Sequence, residues 1–281
     1  MLAPVIIPPN VESEELAPGH ARLRAELVAG RSAFVERRAR SPLRLLCPSN
    51  AGSAAWAYTS SFGGGLVDGD DVRLGVQVGP GAQALVTTQG STKAYRGSAC
   101  QEVRAGVAAG GLLALLPDPL VAFAGARVSS LIEAELAPDA TLVLVDSLEA
   151  GRVAAGERWI AERCELRIRV TVAGRLVLDD GLLLDPAHGS VARCMGPFDG
   201  WATVVMVGPL ACAASEALLA ERRPAHAMSP DVCSLETVAP VAGGCLLRIA
   251  ARSAAVLAER VALATACVAE LVGDHPSTRR F

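Results

Sequence analysis

Cys164-Glu165-Leu166-Arg167-Ile168-Arg169-Val170-Thr171-Val172 alternates without a fault. Leu166, Ile168, Val170 and Val172 fall on one face, and Glu165, Arg167, Arg169 and Thr171 fall on the other. Apolar residues at every second position make a half-buried strand, because successive side chains of an extended backbone point to opposite faces. The same period recurs at Val72-Arg73-Leu74-Gly75-Val76-Gln77-Val78. There Gly79-Pro80-Gly81 signals a turn, 83–88 resumes the strand pattern, and the three together read as a hairpin. Further strands are predicted at 23–28, 33–37, 102–107, 128–136, 141–145, 175–184, 203–207 and 245–250. Helical patterning is confined to the last third. An Ala-rich helix is predicted over 210–222, stopping before Pro224, and a longer one over 253–272 with Ser253 as N-cap. Val256, Leu257, Val261, Leu263, Ala264 and Val268 form the apolar stripe of the second, which reads as a helix packed on its own core. Many strands followed by two late helices make a mainly-β chain with one domain over 21–272. A proline-rich arm over 1–20 and a short tail over 273–281 flank it.

Composition excludes several classes. Of 281 residues, 51% are apolar and only 20% charged, which is incompatible with a disordered chain. Aromatics make up 4%, too few for a stacking platform on single-stranded nucleic acid. The net charge of −3 provides no basic footprint for nucleic acid, and Lys93 is the only lysine. The charge-free run 45–67 is broken by Pro48, and the apolar run 201–215 is short and interrupted by Pro209, so no membrane span is expected. The first ten residues have no basic region and three prolines, unlike a secretory signal. The eight cysteines are scattered without a Cys-x-x-Cys pair, as in a protein of the reducing cytoplasm. So apolar a surface is expected to be covered in part by protein partners.

Catalytic signatures are missing. No Gly-x-Ser-x-Gly or Ser-x-x-Lys motif occurs, and His20, His188, His226 and His275 form no metal-binding pair. Phe62-Gly63-Gly64-Gly65-Leu66-Val67-Asp68-Gly69-Asp70-Asp71 has the glycine spacing of a phosphate loop. Asp70 and Asp71 stand where that loop needs lysine and a hydroxyl, and they would repel phosphate. The segment reads either as a Gly/Asp turn feeding the Val72 strand or as a carboxylate cluster that could meet a cation. A second polar cluster, Thr87-Thr88-Gln89-Gly90-Ser91-Thr92-Lys93-Ala94-Tyr95-Arg96, closes a strand in an otherwise apolar region.

These two clusters, in the order of the blocks around them, resemble the urease accessory protein family UreD, called UreH in some organisms. The resemblance begins with Gly30-Arg31-Ser32 and Ser41-Pro42-Leu43-Arg44, then runs through Tyr58–Asp70, Gly79-Pro80-Gly81-Ala82 and Thr87–Arg96. It continues with Leu116-Pro117-Asp118-Pro119, Phe123-Ala124-Gly125-Ala126-Arg127, Leu144-Val145-Asp146, Gly151-Arg152 and Gly156-Glu157-Arg158-Trp159. It is strong over 21–185 and weak beyond Pro186. Ser32 and Ser41 depart from the family's usual threonine and glycine.

The resemblance implies a mainly-β fold of stacked, helix-like sheet layers with two helices, and a maturation factor rather than an enzyme. It further implies binding to apo-urease and to the accessory partners UreF and the GTPase UreG. It also implies that no cofactor is tightly bound and that Ni²⁺ is in transit through a water-filled passage. Ions that must leave again need weak, hydrated sites, which spaced carboxylates and hydroxyls supply better than clustered His or Cys. Asp70, Ser91, Asp146 and Asp180 are the expected lining of that route, with Glu157 beside them. A scaffold that reshapes apo-urease without carrying metal is the alternative. A hydrolase would need a nucleophile and base that the sequence does not display.

Overall fold

The computed structural model describes residues 15–49, 52–221 and 232–273. Eighteen strands follow one another. The first six are β1 (His20–Val28), β2 (Arg31–Ala39), β3 (Leu43–Leu46), β4 (Ala55–Ser61), β5 (Gly65–Leu66) and β6 (Asp71–Val78). Next come β7 (Gln83–Thr88), β8 (Thr92–Ala94), β9 (Gly97–Val107), β10 (Leu112–Leu116), β11 (Leu120–Ala122) and β12 (Ala126–Leu136). The last six are β13 (Thr141–Glu149), β14 (Arg163–Val172), β15 (Arg175–Leu184), β16 (Gly200–Val207), β17 (Ser234–Val241) and β18 (Gly244–Ala251). One sheet has the order β15-β14-β12-β9-β6-β1-β2, and the facing sheet the order β17-β18-β16-β13-β10-β7-β4-β3. Their central strands are parallel, and the outer pairs on both flanks are antiparallel. Short strands β5, β8 and β11 form a side ladder that joins β13. From β6 to β14 the chain winds repeatedly from one sheet to the other, a stack of parallel β coils.

This winding corrects one expectation. Strands β6 and β7 are not a hairpin: β6 pairs with β1 and β9, whereas β7 pairs with β4 and β10. Gly79-Pro80-Gly81 is a corner between sheets, and its backbone bonds to the coils above and below. Gly79 N donates to Ala25 O at 2.8 Å, and Gly81 N donates to Ala109 O at 2.9 Å. Val76 and Val78 before the corner, and Ala82 and Ala84 after it, bury in one shared core.

The strongly alternating segments became strands, extended by a few residues. Strand β10 was not foreseen because Leu112-Leu113-Ala114-Leu115-Leu116 is buried on both faces, so alternation has no meaning there. Strands β3, β4, β5, β8, β11 and β17 likewise carry no clean period.

The helices are α1 (Val191–Met195), α2 (Cys212–Ala220), α3 (Ala254–Ala264) and α4 (Cys267–Val272). Ser253 caps α3, its hydroxyl accepting from Val256 N at 3.3 Å. The helix predicted over 253–272 breaks at Thr265 and Ala266, where the Thr265 hydroxyl donates to Val261 O at 2.8 Å. Helices α2 and α3 pack on β16 and β18, covering the outer face of the larger sheet. No helix among the described residues is long and apolar enough to cross a membrane. Most of the proline-rich arm and all of the tail beyond Gly273 lie outside the described residues. The described part of the arm is tied down: Arg40 donates to Leu16 O at 2.7 Å, and Gly19 N to Ser41 O at 3.0 Å. None of the eight cysteines forms a disulfide.

Candidate functional site

The space between the two sheets holds two apolar clusters rather than one. The first contains Val86, Val103, Ile132, Leu144, Leu178, Val205 and Leu246 with their neighbours. The second contains Ala99, Val128, Leu148, Leu166, Leu182 and Trp201 with theirs. A layer of polar side chains separates them. Asp146 stands between Leu144 and Leu148 on the same face of β13, Ser130 between Val128 and Ile132, and Gln101 between Ala99 and Val103. Asp180 stands between Leu178 and Leu182, and Thr203 between Trp201 and Val205.

Register aligns these residues into a row. In the larger sheet Thr59 is opposite Thr88, Asp146 opposite Thr203, and Thr203 opposite Arg248. In the facing sheet Gln101 is opposite Ser130, and Gln101 Nε2 donates to Ser130 Oγ at 2.9 Å. Stacked coils place residue over residue, so these positions fall in short lines, broken in the smaller sheet by Val72 opposite Gln101 and Leu166 opposite Ser130.

Five residues of the row, Thr59, Thr88, Gln101, Ser130 and Asp146, line a cavity of about 460 Å³. Its remaining wall combines apolar residues of both clusters, such as Leu74, Leu115 and Leu120, with the exposed loop Gln89-Gly90-Ser91 and with Lys93. Side chains at its edge are held firmly. Thr88 Oγ1 donates to Asp118 Oδ2 at 3.0 Å and accepts from Asp118 N at 2.8 Å, while Thr87 Oγ1 donates to Leu116 O at 2.6 Å. Gly65 lets β5 run close beside β8, since a Cβ there would lie 2.2 Å from Lys93 O.

Electrostatically the centre of the row is Asp146, which is 6% exposed. Burial, with a smaller contribution from the charge of Asp180, raises its pKa from the ordinary carboxylate range to about 7, against the opposing hydrogen bond from the Ser147 backbone. Glu149 on the same strand is also pushed up, by burial and then by Asp118. Beyond Thr203 the row ends in an ion pair that bridges the sheets, Arg248 of β18 on Asp180 of β15.

Of the residues singled out in the sequence, Ser91 and Asp146 border the cavity. Asp180 faces the same interlayer space but stands past the cavity wall, paired with Arg248. Asp70 lies in a separate surface depression with Asp71, Ser98 and Cys100, where its carboxylate accepts from Val67 N at 2.8 Å. That bond closes a Gly/Asp turn ahead of β6. Glu157 also lies outside the cavity wall, held by Arg152 Nε at 2.9 Å. Thr59, Gln101, Ser130, Thr203 and Arg248 were not foreseen. Gln101 and Ser130 carried a signal, a polar residue at an apolar phase of an alternating strand, whereas Thr59, Thr203 and Arg248 sit in strands without clean alternation.

The donors along the row are hydroxyls, an amide and two carboxylates, a hard and sparse set suited to a hydrated cation rather than a tight chelate. Among the described residues no group of three or more His, Cys, Asp or Glu is gathered in metal-binding geometry.

The sequence profile described as UreD urease accessory protein matches residues 17–281. A urease accessory protein UreD of Sorangium cellulosum is 48% identical over 90% of this chain and 81% of its own length. One from Anaeromyxobacter is 45% identical over 85% and 81%. Urease accessory protein D of japonica rice is 36% identical over 69% and 67%. With its stacked β coils, helices in the C-terminal part and a profile match across nearly its full length, the chain belongs to the UreD family of urease accessory proteins, non-catalytic factors in urease maturation.

Proposed function

We propose that the chain serves urease maturation by giving Ni²⁺ a hydrated path along the interlayer polar row. The ion comes from the accessory partners UreF and UreG and goes on to apo-urease. The observation that carries this reading is the row itself: Thr59 with Thr88 and Asp146 with Thr203 and Arg248 on one sheet, and Gln101 with Ser130 on the other, lying between two apolar clusters. Burying polar groups where leucine or valine would pack is costly for stability, so a layer of them calls for a reason outside folding. In this reading Ser91 stands at the entrance, Asp146 at the centre and Asp180 at the far end, while Asp70 acts from the surface. With its pKa near 7, Asp146 binds a cation in competition with a proton, so the ion's hold there is loose at neutral pH.

The test replaces Asp70, Asp146 or Asp180 with leucine and measures urease activation in cells, with recovery of the intact accessory complex as control. Loss of activation in the Asp146 variant with the complex retained is the expected result. Unchanged activation in all three would overturn the route and favour a scaffold that carries no metal.

A further inference from the structure

Two carboxylates face the row near one another, and only one of them is ion-paired. Asp180 holds Arg248, whereas Asp146 has no ion pair among the described residues. The two acids come from opposite sheets and sense each other, since the charge of Asp180 contributes to the perturbation of Asp146. Arg248 lies two strands from Asp146 in the same register row, with only Thr203 between them. Its side chain is 39% exposed and that of Asp180 13%, so the guanidinium has solvent beside it to swing into without disturbing the pairing of β18.

We propose that Arg248 is a built-in competitor for the metal: it occupies Asp180, and a divalent cation takes the Asp146–Asp180 subsite only by displacing it. This rests on the route described above and adds a residue that sets how tightly the row holds its cargo. Two carboxylates facing one space attract a dication strongly, and a permanently charged guanidinium on one of them removes half of that charge. Arginine suits the task because it never loses its proton, so the competitor is present at every physiological pH. Because the Arg248 side chain is 39% exposed, water can solvate the displaced guanidinium, which lowers the cost of displacing it. Metal therefore binds, and it also leaves.

The experiment is equilibrium dialysis of the purified full-length chain against Ni²⁺ alone. Arg248→Met should bind Ni²⁺ about tenfold more tightly than the native chain, about 1.4 kcal/mol. Arg248→Lys, which keeps the charge, should stay near native affinity, and Arg248→Met/Asp180→Asn should lose the gain. Asp180→Asn alone tests the subsite if Arg248→Met fails to fold, and should weaken binding. Native-like affinity in a folded Arg248→Met chain, or no effect of Asp180→Asn, overturns the proposal. The readout is binding by the isolated chain. If Arg248→Met tightens binding while Asp146→Leu leaves urease activation intact, the competitor stands and the delivery route falls.

Discussion

Asp179 and Asp180 are adjacent in the chain and live in opposite worlds. Asp179 points outward from the smaller sheet, where Arg167 grips both its oxygens at 2.8 Å and Arg169 Nε approaches to 3.3 Å. It belongs to a ladder of alternating charges, with Arg73, Glu102, Arg104, Glu133 and Arg169, laid across neighbouring strands in solvent. Those hydrogen bonds and charges pull its pKa down to about 2. One residue later the chain faces inward, where carboxylates are few and burial drives Asp146 the other way, to about 7. Outside, charges are abundant, mutually satisfied and individually dispensable. Inside they are sparse and costly, and what they do depends on which neighbour each one has. The count of charged residues is therefore a poor guide to function in this fold, and the face they occupy is a good one.

Substitutions can break or sharpen this contrast. The largest effect is expected from Asp146→Phe, which fills the centre of the row and should lower urease activation at least tenfold, read as urease activity in cells with the accessory complex still recovered. Leu144→Ala, one step along β13, removes a fully buried side chain of the first cluster and should cost about 2–5 kcal/mol in denaturant unfolding. Asp146→Asn should do the reverse. The folded chain keeps the Asp146 proton up to about pH 7, whereas the unfolded chain releases it near pH 4, so native stability falls as pH rises through that window. The asparagine variant should be about 1–3 kcal/mol more stable than the native chain at pH 8, with the difference vanishing towards pH 4 in urea titrations. The smallest effect belongs to Asp179→Asn, which should leave the thermal midpoint at pH 7 within experimental scatter. Its depressed pKa gives a contribution that is present above about pH 4 and lost as pH falls towards 2, so only acid unfolding should register the change.

Much of this architecture was readable in the sequence, for reasons that differ by element. Strands with one face wet, such as β6, β12 and β14, announce themselves by alternation, because only one side has to be apolar. Strand β10, covered on both sides, is a plain leucine run. The turn at Gly79-Pro80-Gly81 was legible as a turn, but its direction was not. Whether a chain folds back on its sheet or crosses to the next depends on hydrogen bonds to Ala25 and Ala109, which are remote in sequence. The acids Asp146 and Asp180 could be picked out as residues, yet the alignment of Asp146 with Thr203 and Arg248 comes from strand register, and Asp180 joins them from the facing sheet through Arg248. Asp70 illustrates the opposite: a conspicuous Gly/Asp segment whose carboxylate closes a turn on the outer surface.

The corner at Gly79-Pro80-Gly81, matched by tight corners at 108–111 and 137–140 where the chain passes from the smaller sheet to the larger, makes the number of windings a ruler. Neighbouring strands sit about 4.8 Å apart, so the five steps from Thr59 on β4 to Arg248 on β18 amount to roughly 24 Å. Inserting one more winding would lengthen the span by a single rung and leave every other rung in place. Deleting one residue from any rung would turn its polar side chain to the wrong face and leave a gap in an otherwise intact molecule. The distance this protein can bridge is thus written in how many times it coils.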